Sequence, residues 1–495
     1  MARKTSTELF ELVKAMTPSE KRYFKIFASL HTVGEQNKYM KLFDLMDEMT
    51  VYQEDLLIKG VNDKGGVTFS KLKKYLYDLI LKAMRNFNID KNGTHQLTAV
   101  IDDISILFNK GLYKQAQKAV GRAEKIIKEY ELISYNFLID NWKRRTQLHL
   151  NGETKLLPED MSLKIDEYQL LNEYMEAFGA AQEFTRKWSA ITHISQLPEK
   201  MQAKINATLP ANASAKIKFF HLRIQSTYDR LTRNYPSYLK NTLEAYDLTE
   251  AHPAFQNEDV LIYTLEPLLE YCNALLNSGK MADFQKYIKK TTPYIVASKL
   301  TISAEGRANI DACINLMKSE YDRRNGRKMK YAEHVATIQA IKEDPQLHPS
   351  EALKNLYYWE LIQWHFIMNE HEKAITTIDE MKKVIPEYQT MQAANAVKWL
   401  CFYGLKWTED LKIAINEDFA DSALEKELSN CLKEQLADET LGKWMNLKKS
   451  LTRLLVVPEE KLHFKYFDFI TWVNDRMLND DSLTSVKRQL HYYHI

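Results

Sequence analysis

Five basic residues, Lys114, Lys118, Arg122, Lys125 and Lys128, recur at intervals of four, four, three and three. At 3.6 residues per turn they fall within about a third of a helix circumference. A dense line of cations on one helix face can neutralise RNA or DNA phosphates, or meet an acidic partner protein. Lys71, Lys74, Lys82 and Arg85 form a similar face, interrupted by Asp78, and Lys143, Arg144 and Arg145 add a third cluster. The same spacing suits the water-facing side of an amphipathic helix, where lysine is simply a soluble helix former. The first two groups are the candidate face for an anion or a partner, and both readings of them stay open.

Other chemistry finds less support. Residues 36–87 invite a helix-turn-helix reading, with Ser70–Phe87 as the reading helix and Lys71, Lys73 and Lys74 near its start. The intervening turn, Gly60–Thr68, is too long for the three- or four-residue turn of that motif. Tyr75, Tyr77, Tyr357, Tyr358 and Trp359 offer a base-stacking surface, or bulk for helix seams. His365 and His371 straddle an expected turn, and His491 and His494 are three apart. No cysteine accompanies either pair to complete a four-ligand zinc site. The chain carries no phosphate-cradling glycine loop, no dinucleotide fingerprint, no zinc-protease helix and no nucleophile elbow. The acidic neighbours Asp102–Asp103 and Asp480–Asp481 diverge by about 100° on a helix and do not face each other as an acid/base pair. The expectation is a non-enzymatic protein with no cofactor and no metal.

These residues need elements to hold them, and the composition points to helices alone. Glycine is 14 and proline 12 of 495 residues, both well below their usual shares of about 7% and 5%. Sheets need turns rich in both. No run of about 18 uninterrupted apolar residues exists to span a membrane, and the first residues show no apolar leader. Cys272, Cys313, Cys401 and Cys431 are dispersed, as suits reduced thiols and a cytoplasmic setting. Residues 1–150 hold 25 Lys/Arg against 18 Asp/Glu, whereas 151–495 hold 43 against 48. The basic excess lies in the N-terminal third.

Thr17-Pro18-Ser19-Glu20 is a capping box that opens a helix with Tyr23, Phe24, Phe27 and Leu30 on its apolar face. Further short helices are expected at Tyr39–Met49 and Tyr52–Ile58. Beyond about residue 93 the chain reads as helix pairs. Leu107–Gly111 closes one helix, and Tyr113, Ala116, Val120 and Ala123 open the next. Gly279, Met281, Phe284 and Ile288 repeat that layout, as do Tyr238, Ala245, Leu248 and Pro253. The clearest copy has Tyr358 and Ile362, then Asn369 at the turn, then Ala374, Ile378, Met381 and Pro386. Small residues let two antiparallel helices approach, and bulky ones fill the seam.

Residues 354–386 resemble the tetratricopeptide repeat, a 34-residue helix hairpin, and residues 101–131 resemble it less closely. The intervals between turns do not divide by 34, so the expected array has variable repeat length. The resemblance implies an all-α solenoid that binds peptides or partner proteins on its concave side. The organisation expected is a helical N-terminal region (1–92), a helix-pair array (93–457) and C-terminal capping helices (458–495). The function expected is a scaffold for a protein or peptide partner, without membrane insertion. The alternative is a nucleic-acid-associated regulatory protein that uses the basic N-terminal third.

Overall fold

A computed structural model describes residues 7–29, 38–61, 66–90, 92–152, 158–186, 194–255, 259, 261–297, 304–345, 347, 349–385, 391–405, 407–417, 428–430 and 432–433. Among them every regular element is helical, as the glycine and proline scarcity requires. The chain forms two compact units. One comprises residues 1–168 and 252–259, and the other 169–251 and 260–495.

The first unit contains α1 (Glu8–Ala15), α2 (Pro18–Ser29), α3 (Lys38–Glu48), α4 (Glu54–Gly60), α5 (Gly66–Asn88), α6 (Gly93–Asn109), α7 (Tyr113–Tyr130) and α8 (Asn136–Asn151). Helix α9 (Pro158–Thr185) continues into the second. The capping box forms as expected. Thr17 N–H donates to Glu20 Oε2 (2.8 Å), and Glu20 N–H to Thr17 Oγ1 (3.3 Å). Val13, Phe24, Phe43, Met46, Leu76, Ile80 and Ala83 build one core from α1, α2, α3 and α5. Two boundaries differ from expectation. Helix α4 starts at Glu54, because Tyr52 packs on Phe10 and donates its hydroxyl to Glu54 Oε2 (2.8 Å), which leaves Gln53 extended. Helix α5 starts at Gly66 and not Ser70, since Phe69 is buried in the core and draws the first turn in. Residues 61–65 separate α4 from α5, still more than a helix-turn-helix turn allows.

The second unit contains α10 (Glu199–Ile205), α11 (Ala215–Leu231), α12 (Tyr235–Ala251), α13 (Glu266–Asn277), α14 (Met281–Ile288), α15 (Thr291–Ala297), α16 (Ala304–Arg324), α17 (Tyr331–Glu343), α18 (Glu351–Ile367), α19 (His371–Val384), α20 (Met391–Gly404) and α21 (Thr408–Glu417). Within each unit many consecutive helices pack on one another, among them α6 on α7 and α7 on α8 in the first, and α11 on α12 and α18 on α19 in the second. Pro386 and the segment 458–495, expected to cap the array, lie outside the described residues.

Among the described residues one turn recurs six times. Gly111, Glu131, Arg233, Gly279, Gly326 and Asn369 each adopt positive φ, between 48° and 72°, just past a helix end. In each case the next residue's N–H reaches back five residues, as Leu112 does to Leu107 O (3.0 Å) and Glu370 to His365 O (2.8 Å). This left-handed cap satisfies the last carbonyls and folds the chain straight into the next helix. In the second unit the turns fall 46, 47 and 43 residues apart, from 233 to 279, 279 to 326 and 326 to 369. These intervals exceed the tetratricopeptide unit of 34. Ala374 of the clearest hairpin is fully buried against α18, as its spacing requires.

Candidate partner-binding surface

The five cations of α7 sit where the spacing puts them. Lys114, Lys118, Arg122, Lys125 and Lys128 are all exposed, opposite the buried face of Ala116, Ala119, Val120, Ala123 and Ile127. Arg122 meets Asp103 of α6 (3.2 Å). The four lysines form no ion pair among the described residues. Of the two carboxylates beside them in sequence, Glu124 turns to Lys143 of α8 (2.7 Å) and Glu129 is exposed. On α5, Lys71, Lys74, Lys82 and Arg85 are exposed opposite Leu72, Leu76, Leu79 and Ala83, with Asp78 exposed among them. The two faces rise from separate cores. An open basin beside α2 is also basic, but its Lys21 is tied to Asp47 (2.6 Å) and its Lys25 to Asp44 (2.7 Å).

Helix α8 adds what the sequence reading did not assemble. Its exposed side carries Phe137, Leu138, Asn141, Arg144, Arg145, Leu148 and His149. Its one carboxylate, Asp140, points inward and is held by Lys164 (2.8 Å). Exposed apolar side chains and cations therefore share a face without any acidic residue. Phe137 is 37%, Leu138 41% and Leu148 51% exposed.

A cluster of rings flanks this face. Phe108 of α6, Tyr113 of α7, and Trp142 and His149 of α8 meet across three helices. Tyr113 and His149 stack at 4.6 Å and 13°, while Phe108 stands edge-on to Trp142 at 5.6 Å and to His149 at 5.1 Å. The Arg145 guanidinium lies 4.3 Å from the Trp142 ring centre and 4.6 Å from that of Phe108. Cation–π contact fixes the guanidinium without using its N–H groups. Arg145 has no carboxylate partner among the described residues. Only Arg144 and Arg145 carried any signal in the sequence, as members of a short basic run.

The second unit's most polar region serves structure. The buried Glu360 of α18 accepts a two-pronged contact from Arg323 of α16 (3.0 and 3.1 Å) and a hydrogen bond from Ser319 (3.1 Å). Ser319 in turn accepts from Trp364 Nε1 (2.7 Å). Asp322 meets Arg327 (2.7 Å), Lys330 (3.1 Å) and His334 (3.0 Å). These contacts pin α16, α17 and α18 together, and their charges face one another. His365 is buried against the Tyr331 hydroxyl (2.9 Å), and burial pushes its pKa down to about 4, so it is neutral at pH 7. Of the tyrosines read as core or stacking surface, Tyr357 and Tyr358 are buried, and Tyr75 is exposed beside Tyr39 (5.2 Å).

Cys272, Cys313 and Cys401 are free thiols, each with its pKa pushed up by burial. Among the described residues no group of three metal-ligating side chains converges. None of the described helices is long and apolar enough to cross a membrane. Cys431, His491 and His494 lie outside the described residues. No protein-family profile matches this chain, and no curated protein or solved structure shows detectable similarity to it.

Proposed function

We propose that this protein is a non-enzymatic scaffold that binds a protein or peptide partner on the exposed faces of its helical hairpins. The observation that carries the reading is the exposed side of α8, where Phe137, Leu138 and Leu148 lie beside Arg144 and Arg145 with no carboxylate among them. Exposed aliphatic and aromatic groups held on a rigid helix are unfavourable in water and become favourable contacts once a partner covers them. Hairpins closed by the same turn hold such faces still, so little order is lost on binding. The hairpin of α18 and α19 gives the array its tetratricopeptide-like character.

Affinity capture from native cell extract, with and without nuclease, tests the proposal. The intact chain is expected to retain a protein partner after nuclease treatment. A Leu138→Ser, Leu148→Ser variant is expected to lose it. If all material bound to the parent disappears on nuclease treatment, the reading is wrong.

A second reading has its own observation, the four exposed and unpaired lysines of α7. A nucleic-acid-associated role through Lys114, Lys118, Lys125 and Lys128 predicts strong salt dependence. Neutralising about six phosphates gives a log–log slope near −4 to −5. A partner held by apolar anchors responds far less to salt.

A further inference from the structure

We infer that the α8 face docks an acidic amphipathic peptide segment of the partner, with carboxylates on Arg144 and Arg145 and apolar side chains on Phe137, Leu138 and Leu148. The inference rests on the scaffold reading and names its partner's chemistry.

Three observations select this occupant. Charge comes first. Both arginines are exposed and without a carboxylate partner among the described residues, and the only acidic residue of α8 is buried and paired to Lys164. A basic or neutral segment would leave these cations unmatched, whereas an acidic one answers them. Geometry comes second. The Arg145 guanidinium lies 4.6 Å from the Phe108 ring centre and 4.3 Å from that of Trp142, so the two rings hold it in place before any ligand arrives. A fixed guanidinium with free N–H edges suits the paired oxygens of a carboxylate.

The third observation separates a peptide from a single-stranded nucleic acid. Base stacking needs open ring faces. Here the Tyr113–His149 stack at 4.6 Å occupies one face of each ring, and Arg145 sits against Phe108 and Trp142. Trp142 also packs against the α6–α8 core. The most exposed apolar groups of α8 are two leucines and a phenylalanine, which match side chains of a peptide better than sugars and phosphates. From Phe137 to His149 the face is about 18 Å long at 1.5 Å per residue. Five or six residues of extended chain, or about twelve of helix, cover it.

Fluorescence anisotropy on the intact chain tests the inference. The probes are labelled peptides of about twelve residues that combine Glu and Asp with Leu and Phe. The controls are the same peptides with Lys replacing each acid, and a uridine oligonucleotide of comparable length. The acidic peptides are expected to bind and the lysine versions not to. Arg145→Gln is expected to weaken binding about tenfold or more, because it removes a charge-assisted contact. Leu148→Ser is expected to weaken it about fivefold, and Lys118→Glu by less than about twofold. Unchanged helical circular dichroism of each variant shows that the fold is retained.

Three results overturn the inference. The acidic peptides fail to bind, or they bind equally well to Arg145→Gln and Leu148→Ser, or only the oligonucleotide binds and Arg145→Gln weakens it. A captured partner that ignores both variants would leave the scaffold reading standing and remove this one.

Discussion

Replacing Ala374 by Asp puts a charge into the buried seam between α18 and α19. Ala374 is fully buried in α19, in a cluster that includes Ile362, Trp364, Phe366 and Ile378. Burial in apolar surroundings raises a carboxyl pKa by up to three to five units. At pH 7 the part of that rise between about 3.9 and 7 counts, roughly three units at 1.36 kcal/mol each. The charge therefore costs about 4 kcal/mol. The added carboxyl volume costs about 1–3 kcal/mol more through overpacking. The sum approaches the whole stability of an ordinary domain. The pH dependence has a definite sign. The variant's folded-state pKa lies above its unfolded value, so at pH 7 the charge penalty is the roughly three units already counted. The penalty shrinks as pH falls towards 4, leaving only the packing part. Thr376 on the exposed side of the same helix is the control, and Thr376→Asp is expected to stay within about 0.5 kcal/mol. Urea unfolding followed by the fluorescence of the buried Trp364 and Trp399 reads the change. An Ala374→Asp midpoint equal to the Thr376→Asp midpoint, or a penalty that does not change between pH 7 and pH 4, would refute the assignment of this crossing.

Gly111→Ala is expected to cost about 1–2 kcal/mol by thermal unfolding, although the added Cβ meets nothing within 4 Å. The cost is the left-handed backbone alone, at φ 72°. Gln363→Leu is expected to stabilise the protein by about 1–2 kcal/mol in urea titrations. The Gln363 side chain is buried, and neither amide atom has a hydrogen-bond partner among the described residues. Burial pushes the Asp322 carboxyl up, but hydrogen bonds from His334, Lys330 and Arg327 outweigh it and hold the pKa below its usual value. This contribution is present above pH 4 and fades as pH falls through the lowered folded value. Asp322→Asn is expected to lose about 2 kcal/mol at pH 7 and to show a flatter acid limb than the parent in pH-dependent unfolding.

Three hairpins were legible from a glycine or asparagine at the turn. Gly111, Gly279 and Asn369 take the left-handed conformation that those residue types favour. Three turns escaped. Glu131 and Arg233 take the same conformation against their own preference, and Gly326 hides in a run of basic residues. Without Arg233 and Gly326 the spacing in the second unit looked irregular, and with them it settles at 43–47 residues. The amphipathic face of α7 was equally legible, because one helix carries the whole pattern. The ring cluster was not, since Phe108, Tyr113 and Trp142 come from three helices and each looks like ordinary packing bulk in the chain. Tertiary proximity turns Arg145 from one charge in a basic run into a guanidinium fixed over two rings. The inward turn of Asp140 is also a tertiary fact, and it leaves the exposed side of α8 free of acid.

The most direct test of the scaffold account places a photo-crosslinking residue at position 148 on α8 of the intact chain, with position 118 on α7 as the control. Both are irradiated in native extract. The account predicts a protein adduct from position 148 that survives nuclease treatment and disappears when Arg145→Gln is added, with little from position 118. Adducts from position 118 alone, removed by nuclease, would contradict it and assign the function to the basic face of α7.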